Sequence, residues 1–526
     1  MKPRDPRVVV IGGGLAGITA AIALAESGAQ VTLLEARPRL GGATCSFSRD
    51  GLTVDTGQHI FLGCCSAYRG LLGKLGMTAQ APLQDRFDVT VLAPGPAGQT
   101  RTPRQARLRR TALPGPLHML PALGRYPFLT KAERARVALP ALAMRRVDPA
   151  DPGVDVQRFG DWLAARGQSE RARRALWDLF TVSALNIAGD DASLALAATV
   201  VKTGLLGKNN AADIGVPALP LGELHGDAAA ALLARLGARV ALSTKVAAIE
   251  VGAQAAVSAG SGATGSGATD GRQDSGARFR VRLARPADDA SLGDEIAADA
   301  VVLAVPHASA APLVPPDALP SGTVAAWSGL GASPIVNVHV IYDRPVTSLK
   351  FAAAIDSPVQ WVFDRTSISG LGDGRSGGPQ YLAISLSAAD EYEEVPAARL
   401  REQFVPALAE LFPAARDARV TEFFVTRERR ATFRQGPGSG ALRPKAGTRL
   451  PGLVLAGAWT DTGWPDTMEG AVRSGLSAAI ELRQTLLASW PAAVGSGPAD
   501  EPAPGTAGPA GPFEPNASAS TIGVRQ

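Results

Sequence analysis

The chain has 526 residues, 46% of them hydrophobic, and a formal net charge of +5. That length exceeds one ordinary hydrophobic core and predicts two or three domains. Its three cysteines exclude a disulfide scaffold and indicate a reducing, cytoplasmic setting, while the mild charge gives no sign of a nucleic-acid partner. The sequence has no apolar run of about 18 residues and no signal-peptide pattern, so we expect neither a transmembrane helix nor export.

The N-terminal segment predicts a strand, a glycine-rich turn, a helix and a second strand. β-branched runs at 8–11 and 31–34 flank the turn and a run of helix-forming residues. The G-x-G-x-x-G spacing permits a tight turn, close approach of a pyrophosphate and close packing of helix on strand. An acid at the end of the second strand can accept hydrogen bonds from ribose hydroxyls. The predicted dinucleotide-binding residues are Gly12, Gly14, Ala16, Gly17 and Glu35.

The residues after Glu35 favour FAD over NAD. They read E-A-R-x-R-x-G-G and include Arg37, Arg39, Gly41 and Gly42. Glycines permit backbone approach and arginines supply charge-assisted hydrogen bonds. This extension resembles the flavin amine oxidase and phytoene desaturase superfamily, in which it continues along the FAD pyrophosphate. For at least one of the two arginines, a solvated surface position remains the alternative.

Three further blocks narrow the resemblance. They are V-D-T-G-Q-H-I-F-L-G at 54–63, S-A-L-N at 183–186 and P-L-G-E-L-H-G at 220–226, and they are similar to the hydroxysqualene dehydroxylases of bacterial hopanoid pathways. The superfamily places the pair equivalent to Gly57 and Gln58 beside the isoalloxazine ring. His59, which follows that pair, either lines the active site or packs beside it.

The stretch 101–147 is strongly basic, with 11 Lys and Arg residues against one acid, Glu133, interleaved with apolar residues. No nucleic-acid motif accompanies it. The composition is typical of a solvated basic face or of a surface that contacts an anionic membrane, and a lipid substrate favours the membrane. Arg107, Arg109 and Arg110 are the cations that we selected to test this surface.

The downstream half alternates strands and helices. A Gly- and Ser-rich segment, 252–276, separates two strand-like runs and predicts a flexible, overgrown hairpin connection. The expected elements are strands at 245–251, 279–283, 335–341, 381–386, 420–426 and 453–456, and helices at 397–411 and 468–487.

The C-terminal section resembles the second FAD motif of the superfamily, in which the helix starting near Met468 points its N-terminus at the flavin ring. The family usually has an acid after the residue equivalent to Gly457, and this chain has Ala458 there. Either Asp461 or backbone N–H groups replace that acid. The motif contains no cysteine for covalent attachment, so the resemblance implies non-covalent FAD and no metal. The implied FAD contacts outside the first motif are Gly57, Gln58, Val246, Gly457, Asp461, Met468 and Glu469.

The predicted fold class is α/β: a Rossmann-like FAD-binding domain built from discontinuous segments, with an amine oxidase-like α+β substrate-binding domain. The expected segments are 1–99, 216–305 and 446–488 for the FAD-binding domain, 100–215 for a mainly helical substrate- and membrane-facing region, 306–445 for the substrate-binding domain and 489–526 for a disordered tail.

The resemblance implies reductive removal of an allylic hydroxyl from a C30 isoprenoid, hydroxysqualene, to give squalene. That chemistry needs a proton donor, for which His59 and Asp190 are the candidates. Asp190, in the Gly189-Asp190-Asp191 turn, is alternatively a helix N-cap. The implied partners are the isoprenoid, an external electron donor and other squalene-pathway enzymes. The resemblance also implies peripheral contact with the anionic inner face of the cell membrane.

Two other functions remain open. A carotenoid desaturase of the phytoene type uses the same fold and moves hydride in the opposite direction. A non-catalytic prenyl-binding protein uses the fold without turnover. An amine oxidase is less favoured, because no aromatic pair can be assigned to an amine cage from the sequence.

Overall fold

The computed structural model describes residues 5–96, 102–115, 117–252, 277–286, 292–372 and 377–486. The predicted tail at 489–526 lies outside the described residues, as does all of the predicted flexible loop beyond residue 252. No helix of the described chain is long and apolar enough to cross a membrane.

The strands are short except in one sheet. They are β1 (Arg7–Ile11), β2 (Gln30–Leu34), β3 (Ser46–Arg49), β4 (Leu52–Asp55), β5 (Phe61–Leu62), β6 (Asp88–Ala93), β7 (Arg104–Arg109), β8 (Ile214–Gly215), β9 (Arg239–Ala241), β10 (Val246–Val251), β11 (Phe279–Leu283), β12 (Glu295–Ala298), β13 (Ala300–Leu303), β14 (Ser333–Tyr342), β15 (Phe351–Ala354), β16 (Trp361–Asp364), β17 (Gln380–Leu386), β18 (Val420–Thr432) and β19 (Leu453–Leu455).

The helices are concentrated between residues 117 and 235. They are α1 (Leu15–Glu26), α2 (Ser66–Lys74), α3 (Leu120–Gly124), α4 (Lys131–Met144), α5 (Pro152–Asp155), α6 (Phe159–Ala164), α7 (Glu170–Ala172), α8 (Asp178–Leu185), α9 (Leu194–Val200), α10 (Ala228–Arg235), α11 (His307–Ala310), α12 (Thr323–Ala326), α13 (Ala397–Leu411) and α14 (Met468–Leu486). π-helical turns cover Arg173–Trp177, Val201–Leu205 and Gly222–Asp227.

Segments far apart in the chain form one parallel sheet with the order β19-β13-β1-β2-β9. Its central strand, β1, has four consecutive buried residues, as expected for a strand covered on both faces. α1 and α14 pack on one face at close range, since a Cβ on Gly475 would lie 2.3 Å from the Ala16 carbonyl oxygen. β10, β11 and β12 form an antiparallel sheet, so the predicted hairpin around the 252–276 segment is confirmed.

A seven-stranded sheet with the order β18-β14-β17-β16-β15-β6-β7 forms the second layer of the molecule. β6 and β7 pair with each other, so the predicted boundary at residue 99 falls inside one antiparallel pair, and the segment from residue 88 belongs to this sheet. β18 continues six residues beyond its predicted end, to Thr432. Its last residues include Arg427, Arg429 and Arg430, which carry no apolar signal because β18 is an edge strand.

Candidate functional site

The glycine-rich turn after β1 adopts a backbone that side chains would block. Gly12 has φ +109°, and a Cβ on Gly17 would lie 1.9 Å from the Gly12 carbonyl oxygen. A Cβ on Gly14, by contrast, would approach nothing closer than Gly42 Cα at 3.9 Å. α1 starts there with no side-chain cap and no acid in its first turn, which includes Ala16. Open space at Gly14 and free N–H groups at a helix N-terminus fit a pyrophosphate.

Glu35 faces this turn from the end of β2. Its Oε2 accepts a hydrogen bond from the Gly13 N–H (2.6 Å), and its Oε1 accepts one from the Arg37 N–H (2.8 Å). The Thr244 N–H donates to the Glu35 carbonyl, which brings the segment before Val246 alongside. Val246 itself begins β10 with a buried side chain. The carboxylate is therefore fixed beside the glycine turn, as the sequence predicts for a ribose ligand.

The extension after Glu35 packs directly on the same turn. Gly41 has φ +103° and donates its N–H to the Gly13 carbonyl at 2.8 Å, and a Cβ on Gly42 would lie 2.9 Å from Gly14 Cα. Of the two arginines, Arg37 is exposed, whereas Arg39 is half-buried with its Nε buried and unpartnered within the described structure. Arg39 is thus the one that turns inward.

The loop with Gly57, Gln58 and His59 follows β4. Gln58 Oε1 is buried and accepts no hydrogen bond from any described residue, as expected of a group that awaits a ligand donor. A Cβ on Gly57 would lie 3.1 Å from His59 Nε2, so the glycine makes room for the imidazole. Burial lowers the pKa of His59, which makes this histidine neutral rather than a ready acid at pH 7.

The C-terminal motif builds the start of α14. Gly457 has φ +135° and donates its N–H to Ser474 Oγ at 2.8 Å. Thr467 Oγ1 accepts from the Gly470 N–H at 3.2 Å, so the helix begins at Met468 with its first N–H groups outside the helical ladder. Asp461 is exposed and accepts only a long bond from the Gly463 N–H (3.3 Å) among its described partners.

Glu469 has a different role from the predicted FAD contact. It is 1% exposed, and its oxygens accept hydrogen bonds from the Ala67 N–H (3.1 Å), the Tyr68 N–H (2.7 Å) and Arg473 Nε (2.8 Å). The carboxylate therefore caps α2, whose own N-cap residue, Cys65, makes no side-chain cap. The sequence hides this contact because the two segments lie about 400 residues apart.

Asp190 does not fit the predicted proton donor. Its side chain is 55% exposed and forms an ion pair with Arg173. It is not a helix N-cap either, since Ser193 caps the next helix. No described contact links the Asp190 carboxylate to His59, so the structure does not bring the two predicted proton donors together. Asp178, the neighbour of Asp190, is half-buried, with a pKa raised to about 6 by burial and by the charge of Asp190.

Asp466, two residues before α14, is an acid that the sequence reasoning missed. Its Oδ2 accepts a hydrogen bond from the Phe433 N–H (2.9 Å), and its own N–H donates to the buried Gln435 Oε1 (2.9 Å). Burial raises the pKa of Asp466 to about 6, although Arg443 opposes the shift. The sequence does contain a sign of this residue, because Asp466 directly precedes the second FAD motif. The acid predicted there was Asp461 instead.

The region 104–206 combines exposed leucines, unpaired cations and an apolar cavity. The cavity measures about 170 Å³, between α3, α4 and residues 176–206, with Leu123, Val137, Trp177 and Phe180 in its lining. Leu113, Leu117, Leu120, Leu139 and Leu142 are 44–60% exposed. The exposed cations without an acidic partner in the described part of this region are Arg104, Arg125, Lys131, Arg136, Arg145, Arg146 and Arg166.

The cations selected from the sequence are the wrong ones for a free basic surface. Arg107 and Arg109 pair with Asp88. Arg110 is 15% exposed and forms a two-pronged ion pair with Asp213, whose exposure is 5% (2.6 and 2.7 Å). These three residues belong to β7 and its end, which the predicted helical region did not anticipate.

Comparisons with known proteins agree over nearly the whole chain. Residues 15–482 match the family model described as flavin containing amine oxidoreductase. A hydroxysqualene dehydroxylase of Rhodopseudomonas palustris is 28% identical, covering 90% of this chain and 97% of that protein. A second, of Sinorhizobium fredii, is 27% identical, with 91% and 99% covered. A zeta-carotene desaturase of Zea mays is 25% identical, with 89% and 82% covered.

Solved structures share the fold. Putrescine oxidase bound to putrescine superposes with a TM-score of 0.63 at 18% identity, covering 91% of this chain and 99% of that one. Cyclohexylamine oxidase of Brevibacterium oxydans gives 0.62 at 19% identity, with 92% and 100% covered. The predicted amine oxidase-like α/β fold is confirmed.

Proposed function

The chain belongs to the family of flavin-containing amine oxidoreductases, and on that premise we propose that it is an FAD-dependent enzyme that converts hydroxysqualene to squalene. The observation that carries this proposal is the similarity to two hydroxysqualene dehydroxylases from end to end.

FAD would be held without a covalent bond by the glycine turn, Glu35, Arg39, the 57–58 pair and the start of α14. The open space at Gly14 and the unpartnered Gln58 Oε1 are the observations that support this fit. When bound and reduced, FAD supplies the hydride that replaces the hydroxyl. The polypeptide must protonate that hydroxyl as it leaves and keep out the water that would capture the allylic cation.

Asp466 is the proposed proton donor. A carboxyl with a pKa of about 6 is partly protonated near neutral pH, which is the range in which a general acid is effective. Its place next to α14, whose N-terminus would face the flavin ring, supports this role. His59 would line the same site in its neutral form.

The substrate would come from a membrane, because a C30 hydrocarbon is nearly insoluble in water. Exposed Leu139 and Leu142 lie on α4 beside Arg136, Arg145 and Arg146, which combines apolar anchors with cations for anionic headgroups. We propose a peripheral position on the cytoplasmic face, with an external donor reducing the flavin and with contact to other squalene-pathway enzymes.

The test is anaerobic incubation of the dithionite-reduced protein with hydroxysqualene, followed by mass spectrometry of the lipid. Formation of squalene is the expected result. Conversion of phytoene by the oxidised protein, without squalene formation, would establish the carotenoid desaturase alternative, which the similarity to zeta-carotene desaturase keeps open. A colourless protein that binds prenyl chains would establish the non-catalytic alternative.

A further inference from the structure

The loop that carries His59 is tied to both layers of the molecule. The Thr56 hydroxyl donates to the Ala43 carbonyl at 2.6 Å, directly after the glycine extension. The backbone of the same Ala43 lies close enough to the His59 ring to raise its pKa. From the seven-stranded sheet, Asn337 Nδ2 donates to the Thr56 carbonyl at 3.2 Å.

Asp55, the residue before this loop, is the centre of a buried network. Its Oδ1 accepts from Ser46 Oγ (2.6 Å) and from the Leu221 N–H (3.0 Å), at the start of a helical segment. Its Oδ2 accepts from the guanidinium of Arg365, between β16 and β17. Asp55 is 6% exposed and Arg365 is 7% exposed. One ion pair therefore joins the β3–β4 hairpin, a helix start and the second sheet.

Three titratable or charged side chains face His59. Asp55 raises the pKa of His59 and Arg365 lowers it, while burial lowers it most. His225 is neutral, because burial lowers its pKa to about 3. The two members of the ion pair are thus the charges that act on His59, and they act with opposite sign.

We propose that the Asp55–Arg365 ion pair is a positioning device: it anchors the loop of His59 between the β3–β4 hairpin and the seven-stranded sheet, while Arg365 counters the charge of Asp55 so that the buried imidazole stays neutral. A lone carboxylate in the same place would anchor the loop but would favour an imidazolium. A positive imidazolium would destabilise a cation developing on the substrate. This reason rests on the proposed function, whereas the anchoring and the electrostatic balance do not.

The experiment titrates the histidine side chains of the full-length protein by NMR with ¹³C-labelled histidine, and assigns His59 by the signal lost in His59→Asn. Asp55→Asn should lower the titration midpoint of His59 and Arg365→Gln should raise it. A structural role alone predicts the same effect for both, because both break one bond. Shifts in the same direction, or no shift, would overturn the proposal.

Two further variants keep the test decisive if a single variant does not fold. The double variant Asp55→Asn/Arg365→Gln leaves no unpaired charge, and Arg365→Lys keeps the cation; both should leave the midpoint near that of the wild type. A shift as large as that in Asp55→Asn or Arg365→Gln would contradict the balance. Amide exchange at 56–59 should accelerate in every variant of the pair and stay unchanged in Arg107→Gln, which removes an exposed member of the ion pair with Asp88 on β6. Squalene formation is not a readout, so failure here is distinct from failure of the proposed reaction.

Discussion

The proposed cofactor side and the proposed substrate side of this protein are fixed by different kinds of atoms. Around Gly12, Gly17 and Gly41, backbone atoms of neighbouring residues lie so close that any side chain would clash with them. Around β6, β7 and residues 110–213, buried side-chain ion pairs such as Arg110–Asp213 hold the structure. The first arrangement requires particular residue types at fixed spacing, which a sequence displays, whereas the second depends on partners that the fold brings together.

The largest expected effect separates cofactor binding from folding. Gly14→Val fills space that no other described residue occupies, so we expect complete loss of bound flavin with an unchanged melting temperature of the apoprotein. Gly70→Val, at an exposed and open position on α2, is the matched control and should keep its flavin. Flavin absorbance and thermal unfolding measure the two outcomes. Full flavin occupancy in Gly14→Val would remove the glycine turn from the cofactor site.

The next effect concerns the proton donor. Asp466→Asn should reduce turnover by roughly 10²–10⁴-fold, since that is the usual contribution of a general acid. Asp178→Asn is its control, because Asp178 has the same pKa of about 6 in another place and should leave turnover unchanged. Equal turnover in both variants would show that neither carboxyl is the donor.

The same two acids predict a pH dependence of stability. Each has a folded-state pKa of about 6, above the ordinary aspartate value of 3.8, so the folded state binds more protons in that window. Their contribution to stability is therefore full below about pH 4 and is lost as pH rises through about 6. Urea unfolding at several pH values measures this. Between about pH 4 and 6, the free energy of unfolding should fall less steeply with pH in Asp178→Asn or Asp466→Asn than in the wild type.

On the substrate side, Arg110→Ala should destabilise the fold by about 3–5 kcal/mol, because it leaves Asp213 buried without its cation. Arg107→Ala should cost less than about 0.5 kcal/mol, since its side chain is 60% exposed and Arg109 still reaches Asp88. Denaturant unfolding distinguishes them. If the two variants lost equal stability, burial of the Arg110–Asp213 ion pair would not be what stabilises this region.

Glu469→Gln tests whether a residue of the FAD motif is structural. We expect a loss of about 1–3 kcal/mol in stability, because a charged acceptor at the start of α2 becomes neutral. Flavin affinity should change by less than about threefold. A large loss of affinity with unchanged stability would restore the role predicted from the sequence.

The smallest expected effect concerns binding of the exposed face of α4 to membranes. Arg145→Glu should weaken binding to anionic liposomes by about 1 kcal/mol, and raised salt should release the wild type. Arg399→Glu, an exposed cation on α13, makes the same change of charge and should have no effect. Co-sedimentation measures both. If the wild-type protein does not bind anionic liposomes at low salt, the basic residues of α4 form only a solvated surface.

The sequence predicts features that depend on local spacing better than features that depend on contacts between distant segments. The glycine turn between β1 and α1, the fold class and the 397–411 helix agree with the structure, because local spacing and periodicity determine them. Glu35 lies beside the turn, and its contact with a ribose stays a prediction. Asp190 was wrong and Glu469 misassigned because burial and pairing depend on contacts across the chain. Asp466 was missed because its pKa rises only when the fold buries it, and residue spacing in the sequence gives no sign of that burial.

The strand order of the parallel sheet also governs how the protein can be made. β13 lies between β1 and β19, and Val301 pairs with Leu453, so the sheet cannot close until the last tenth of the described chain exists. At a synthesis rate of about 5–20 residues per second, the glycine turn waits roughly 20–90 s for α14 and the rest of its cofactor site. During that interval β13 exposes the edge that β19 later covers. Until residues 453–455 are made, this unpaired edge leaves the growing chain open to wrong strand pairing.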